Sequence, residues 1–191
     1  MIRNALVEHC APTLAGIKTA NLFTVQNGSS EDINGEIREL NRILVGKGLR
    51  LVPLKRNDGN TLVYLYRPDR LKQDLNDPAA TEILENKGYP CGNSNCCLVE
   101  LVRRLKSDPS FPHEIGLFLG YPPSDVKSFM EDPRKGVKCI GCWKAYSNER
   151  EAKKIFERYK KCSDLYRRES KSGKSLEALI VNTGNGLRFA T

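Results

Sequence analysis

The sequence predicts an α+β fold: one domain with a small sheet that includes a β-hairpin, packed by several helices, with a long amphipathic helix near the C-terminus. Three observations carry this expectation. Apolar residues recur at three- and four-residue spacing over several segments, the mark of helices with one buried face. Two β-favouring runs, Leu49 to Leu54 and Thr61 to Tyr66, flank an Asp58-Gly59 pair, which is a strong hairpin signal at about 49–66. Strand and helix patterns do not alternate strictly, which disfavours a doubly wound parallel sheet. A chain of 191 residues is of one-domain size and long enough to bury a core without disulfide staples. The domain is expected over 1–182. Residues 183–191, rich in Gly, Asn and Thr, are expected to be a loose tail.

The elements follow in order. Pro12 to Lys18 reads as a short helix with proline near its start. Asn21 to Val25 reads as a strand, and Gln26 to Ser30 as a turn cluster. Ile33, Ile37, Leu40 and Leu44 are spaced for a helix that Gly46 and Gly48 stop. After the hairpin, helices are expected at about 69–75 and 78–87. Cys97, Leu98, Leu101, Val102 and Leu105 form another helical stripe. A short helix is expected from Pro112 to Leu119, a further one starting at Pro122-Pro123 and running through Met130, and a loop over Lys135 to Cys142. The strongest helix spans about 149–170. Asn148 and Glu151 resemble a capping box there, and Ala152, Ile155, Phe156, Tyr159, Cys162 and Tyr166 share a face. Leu176 to Val181 reads as a final strand.

Composition narrows the setting. No run approaches the ~20 apolar residues of a membrane span, and Glu8 and His9 interrupt the N-terminus where an export signal would be apolar. A cytoplasmic protein with reduced thiols and no membrane partner is expected. The seven cysteines are an odd number, unsuited to a complete disulfide framework. The net charge of +8 is local: residues 144–174 carry 11 Lys/Arg against five Asp/Glu.

Four groups of residues bear on chemistry. Cys139-x-x-Cys142 is the sharpest: two thiols across a tight turn, with Gly141 between them, suit one metal ion or a redox dithiol. Cys162 is the expected third ligand and Cys97 a fourth; both equally fit apolar stripes. Cys10 is the candidate nucleophile, beside His9 and before the expected helix start, with His113 as the alternative base. A packed cysteine and a surface histidine explain the same residues. Phe111 to Pro123 is the third group, a stiff segment suited either to a pocket wall or to a packed helical hairpin. Glu114, Gly116 and Gly120 are its ligand-facing candidates, and Lys18 is a further one near Cys10. The fourth is the basic helix, with Lys153, Lys154, Arg158, Lys160, Lys161, Arg167 and Arg168. Three of its acids stand at pairing distance, Glu149–Lys153, Glu157–Lys161 and Asp164–Arg168, as in a solvated face. No sequence-specific nucleic-acid binding is expected. Phosphate-binding glycine loops, dinucleotide fingerprints and serine-hydrolase elbows are absent from the sequence.

Several stretches together resemble a known family. They are His9-Cys10-Ala11-Pro12-Thr13-Leu14-Ala15-Gly16-Ile17-Lys18, the segment Phe111 to Pro122, Cys139-Ile140-Gly141-Cys142-Trp143-Lys144 and Tyr159-Lys160-Lys161-Cys162. The family is the uncharacterised bacterial one known as domain of unknown function thirty-seven ninety-three, and the resemblance runs over nearly the whole chain. It implies a stand-alone, one-domain bacterial protein and no particular activity. Cys10, Cys97, Cys139, Cys142 and Cys162 fall where that family's cysteines are expected.

The function expected first is therefore a cysteine-centred metal-binding protein, with zinc or an iron–sulfur centre at Cys139, Cys142, Cys162 and Cys97. Two alternatives stay open: a thiol enzyme or redox protein using Cys10 or the Cys139–Cys142 dithiol, and an RNA- or ribosome-binding module using helix 149–170. A small molecule or a redox protein is the expected partner.

Overall fold

The computed structural model describes residues 1–26, 33–107 and 110–182. The turn expected at 27–30 and the tail expected at 183–191 lie outside them. The fold is α+β. Within the stretch expected as one domain, the chain resolves into two compact units: residues 1–69 with the segment from 161 onward, and residues 70–160.

The first unit is built on a three-stranded antiparallel sheet of β1 (Ala20–Gln26), β2 (Arg50–Asn57) and β3 (Asn60–Tyr66), in the order β1-β3-β2. The hairpin forms where Asp58-Gly59 predicts it: Asn57 faces Asn60, and Gly59 turns the chain at φ 83°, a left-handed value that glycine adopts freely. Pro53 has no N–H to give a ladder, and it sits on the edge strand β2 beside a register shift. Helices α1 (Ile2–Leu14) and α2 (Ile33–Leu44) pack on the sheet. The core they close is aliphatic, with Leu6, Leu14, Leu40, Leu44, Leu51 and Leu65 at its centre.

Two expectations for this unit are corrected. The first helix starts at Ile2, and Pro12 lies in its last turn rather than its first. Ile2, Leu6, Val7, Cys10, Ala11 and Leu14 are all buried, at the three- and four-residue spacing of one helix face that runs through the proline. The final strand is instead a short helix, α9 (Leu176–Leu179). Ser175 caps it by accepting a hydrogen bond from the Ala178 amide.

In the second unit the helices stand where their caps and stripes put them. Helix α3 (Pro68–Leu75) leads in from the first unit's last residues. Asp77 caps α4 (Pro78–Asn86) by accepting from the Ala79 and Ala80 amides. Then follow α5 (Ser94–Ser107), α6 (Ile115–Phe118) and α7 (Pro123–Glu131). The helix expected from Pro112 is shorter than predicted, because Pro112–Glu114 form a turn that feeds α6. The loop expected at 135–142 is also corrected. β4 (Cys139–Ile140) pairs antiparallel with β5 (Lys144–Ala145), so Cys139 starts a small ribbon and Cys142 lies in its tip. Helix α8 (Glu149–Lys171) begins here, with Asn148 accepting from the Glu151 amide as its cap.

Candidate functional site

The second unit holds a cavity of about 370 Å³ lined by Phe111, His113, Ile115, Gly116, Tyr121, Asp125, Val126, Phe129, Trp143 and Lys144. Its size and mainly apolar lining are those of a small-molecule site.

The wall is assembled from three short pieces. α6 and α7 approach closely because Gly116 has no side chain: a Cβ there would lie 2.8 Å from Cγ2 of Val126. The ribbon supplies Trp143, whose ring stacks on Tyr121 at 5.1 Å and meets Phe156 edge-on at 4.6 Å. Gly141 permits that contact, since a Cβ there would fall 2.3 Å from the Phe156 ring.

Asp125 fixes the tryptophan. Its Oδ2 accepts from Nε1 of Trp143 at 2.8 Å. Its Oδ1 accepts from the amides of Tyr146 and Ser147 and from the Ser147 hydroxyl, at 2.8–3.0 Å. Burial pushes the Asp125 carboxyl up, but the hydrogen bonds from Tyr146, Trp143 and Ser147 outweigh it and hold the carboxyl below its ordinary range. The carboxylate is thus saturated and serves the wall rather than a ligand.

Two polar groups at the cavity are less committed. Lys144 donates to the Pro133 carbonyl at 2.9 Å and lies 5.5 Å from the Phe129 ring centre; it pairs with no carboxylate among the described residues. His113 packs edge-on to Phe129 at 5.1 Å. Phe111, at the rim, is 50% exposed. Burial pushes the Tyr121 hydroxyl above the usual tyrosine range, so this ring stays uncharged.

The sequence candidates fare unevenly. Gly116 lines the cavity, and Gly120 lines a smaller recess with Asp74, Asp77 and Pro122. Glu114 is buried and accepts from the Tyr89 hydroxyl at 2.9 Å, with Arg104 at 3.5 Å, so it is held by internal partners. Lys18 is buried in the first unit. His9 is on the surface of α1, stacked over Phe23 at 6.2 Å. Cys10, next in the same helix, points into the core with 0% exposure. Burial drives its thiol far above the usual range, against a smaller opposing effect of Lys18. A thiol activated at a helix start is therefore not what this residue presents: the helix starts eight residues earlier, and the thiol is sealed.

The thiolate set is not assembled either. Among the described residues, no three His, Cys, Asp or Glu side chains gather to hold a metal ion. Cys139 is half-buried, with Sγ 4.0 Å from the Glu149 carbonyl, and Cys142 is exposed. Cys162 packs against the aliphatic core of the first unit, where burial pushes its thiol up to about 11. Cys97 is buried on α5. On the basic helix, Lys153 pairs with Glu149 at 2.6 Å as expected, while Asp164 turns to Arg167 at 2.9 Å. No described helix is long and apolar enough to cross a membrane.

Phe129, Asp125 and Val126 were not singled out from the sequence. The one signal for them was the Trp of the ribbon, which has no partner in sequence and needs one in space.

The fold and cavity define an α+β protein with an aromatic-walled recess built on a CxxC ribbon. The chain belongs to the family described as protein of unknown function (DUF3793), whose model matches residues 6–180 and so spans both units. No curated protein and no solved structure matches it.

Proposed function

We propose that this protein binds a small, flat, largely apolar molecule bearing an acidic group, in the cavity of the second unit. The observation that carries this reading is the cavity itself: rings on three sides, with Lys144 as a cation at its edge that no carboxylate neutralises among the described residues. A planar ligand gains from stacking on Trp143 and Phe129. An acidic group gains a charge-assisted hydrogen bond from the Lys144 ammonium. Phe111 then closes over the ligand, which explains an exposed ring at the rim of an apolar hollow.

The test uses two probes with the same aromatic body. Anilinonaphthalene sulfonate is anionic, and phenylnaphthylamine is its uncharged counterpart. Trp143 is the only tryptophan in the chain, so energy transfer from it to a bound dye reports this site. Both dyes are expected to bind with transfer, the sulfonate more tightly, and Lys144→Gln is expected to remove the difference. Binding without transfer, or none, overturns the reading.

A second reading has one observation in its favour. Cys139 stands in β4 opposite Ala145 and Cys142 in the tip between the strands, so one short ribbon carries both thiols. Zinc or an iron–sulfur centre there would hold two thiols, Cys139 and Cys142, and need its remaining ligands from beyond the described residues. Elemental analysis of protein purified without oxygen tests it. Stoichiometric metal that is lost in a Cys139→Ser, Cys142→Ser variant supports it.

A further inference from the structure

A different pair of cysteines is the one the fold brings into contact. Cys91 lies in the turn between α4 and α5, and Cys97 near the start of α5. The turn doubles back on the helix start. The Cys97 amide donates to the Asn93 carbonyl at 3.0 Å, and Sγ of Cys97 lies 3.5 Å from the carbonyl of Pro90, the residue just before Cys91. Sγ of Cys91 lies 3.9 Å from the Thr81 carbonyl. The Cys97 thiol thus reaches the backbone beside Cys91, and the two thiols act on each other electrostatically. Cys91 is part-exposed and Cys97 buried, while Cys96 is exposed. Neighbouring residues on a helix project about 100° apart, so Cys96 is turned away from the pair that Cys97 joins.

We propose that Cys91 and Cys97 form a thiol–disulfide exchange site that reacts with small disulfides of the glutathione class. The Cys91 thiolate attacks one sulfur of the small disulfide; a Cys91 mixed disulfide forms and one small thiolate leaves. Cys97 then loses its proton to solvent and attacks the Cys91 sulfur. The Cys91–Cys97 bond forms and the second small thiolate leaves. Two protein thiols are oxidised, and one small disulfide is reduced to two thiols. Entry falls to Cys91 because Cys97 is covered. The turn can adjust to the bond, since Gly92, at φ 95°, has open space around it.

The reaction has a pH signature. Burial pushes the Cys97 thiol up to about 11, so the attacking thiolate is scarce at neutral pH. The closing step should accelerate about tenfold per pH unit below that value.

The folded wild-type protein answers the question directly. Residues 88–103 form one tryptic peptide containing Cys91, Cys96 and Cys97. After exposure to oxidised glutathione and capping of free thiols, this peptide should lose two hydrogens, with Cys96 alone capped. The Cys91–Cys97 link should exceed any Cys91–Cys96 link by about tenfold, because Cys97 turns toward the backbone beside Cys91 while Cys96, about 100° around the helix, is exposed. Cys96→Ser should still close. Cys97→Ala should stop at the glutathione adduct on Cys91, a state readable even if the variant is less stable. A predominant Cys91–Cys96 link overturns the proposal. So does a peptide whose Cys91 and Cys97 stay reduced while Cys96 is glutathionylated.

Discussion

Arg67 in the first unit and Asp125 in the second are both buried and matched by hydrogen bonds, with opposite consequences. In the first unit Arg67 is 1% exposed. It donates to the carbonyls of Thr13, Leu14 and Val181 at 2.8 Å each, joining the end of α1 to the segment after α9. The core of that unit is mainly aliphatic. In the second unit Asp125 receives two amides, a hydroxyl and an indole N–H. Those bonds hold the ribbon at a set place beside α7, and the rings they position stand apart around a hollow. A buried ion matched by backbone partners thus closes a core when its neighbours are branched aliphatics. It props a wall when they are flat rings that cannot fill the space between them.

Removing either ion tests that contrast, and the arginine should matter more. Arg67→Met keeps the volume but strips the donors from the Thr13 and Val181 carbonyls. A loss of about 2–4 kcal/mol is expected, for buried carbonyls left without a charged donor, which lowers Tm by about 10 °C. Dye binding in the second unit should survive wherever the variant is folded. A loss below about 1 kcal/mol, at the scale of an ordinary hydrogen bond, would show that Arg67 does not hold its unit together.

Asp125→Ala should cost about 2–3 kcal/mol, for three buried N–H donors left without an acceptor. It should also weaken dye binding, because the indole that forms the wall loses its anchor. The pH dependence has a definite sign. The folded carboxyl is held below its ordinary range, so its contribution is complete above the unfolded aspartate pKa of about 3.9 and is lost as pH falls below it. The stability gap between wild type and Asp125→Ala should therefore shrink in acid. A gap that is constant down to that range contradicts the clamp.

What the sequence shows of this contrast depends on the distance between the partners. The hairpin, α2 and α8 were legible because their signals are local: Asp58-Gly59, the stripe Ile33 to Leu44, and the cap Asn148 three residues before Glu151. α1 was misplaced because Pro12 reads as a local start signal, although Ile2, Leu6, Val7 and Cys10 before it already stand at helix-face spacing. The ribbon at 139–145 was read as a loop because two-residue strands are too short to show alternation. At the site, Gly116 was legible within the stiff segment Phe111 to Pro123. Asp125 and Trp143 are 18 positions apart, and nothing in either neighbourhood announces the other. Cys91 and Cys97 are close in sequence, yet their contact depends on how the turn at 88–93 folds back.

Gly141→Ala probes the ribbon more gently. A Cβ would fall within the Phe156 ring, so ring or ribbon must shift, at about 1–3 kcal/mol. The emission of Trp143 should move to longer wavelength as its contact with Phe156 loosens. Unchanged emission and stability would mean that the ring swings aside freely and the wall is softer than described.

The smallest change in stability should come with a large change in binding. Phe111 is half in solvent, so Phe111→Ser should alter stability by no more than about 0.5 kcal/mol. If the ring closes over a ligand, it buries its remaining face only in the complex. Covering roughly half a phenyl ring is worth on the order of 1–2 kcal/mol, or about tenfold in Kd. Dye affinity should therefore fall about tenfold while Tm stays put, and transfer from Trp143 should persist in whatever dye remains bound. The same substitution separates the two units: a ring that served packing would shift Tm and spare affinity, as Arg67→Met is expected to do. An unchanged Kd would place the dye deeper, against Trp143 and Phe129, and would leave Phe111 without a part in binding.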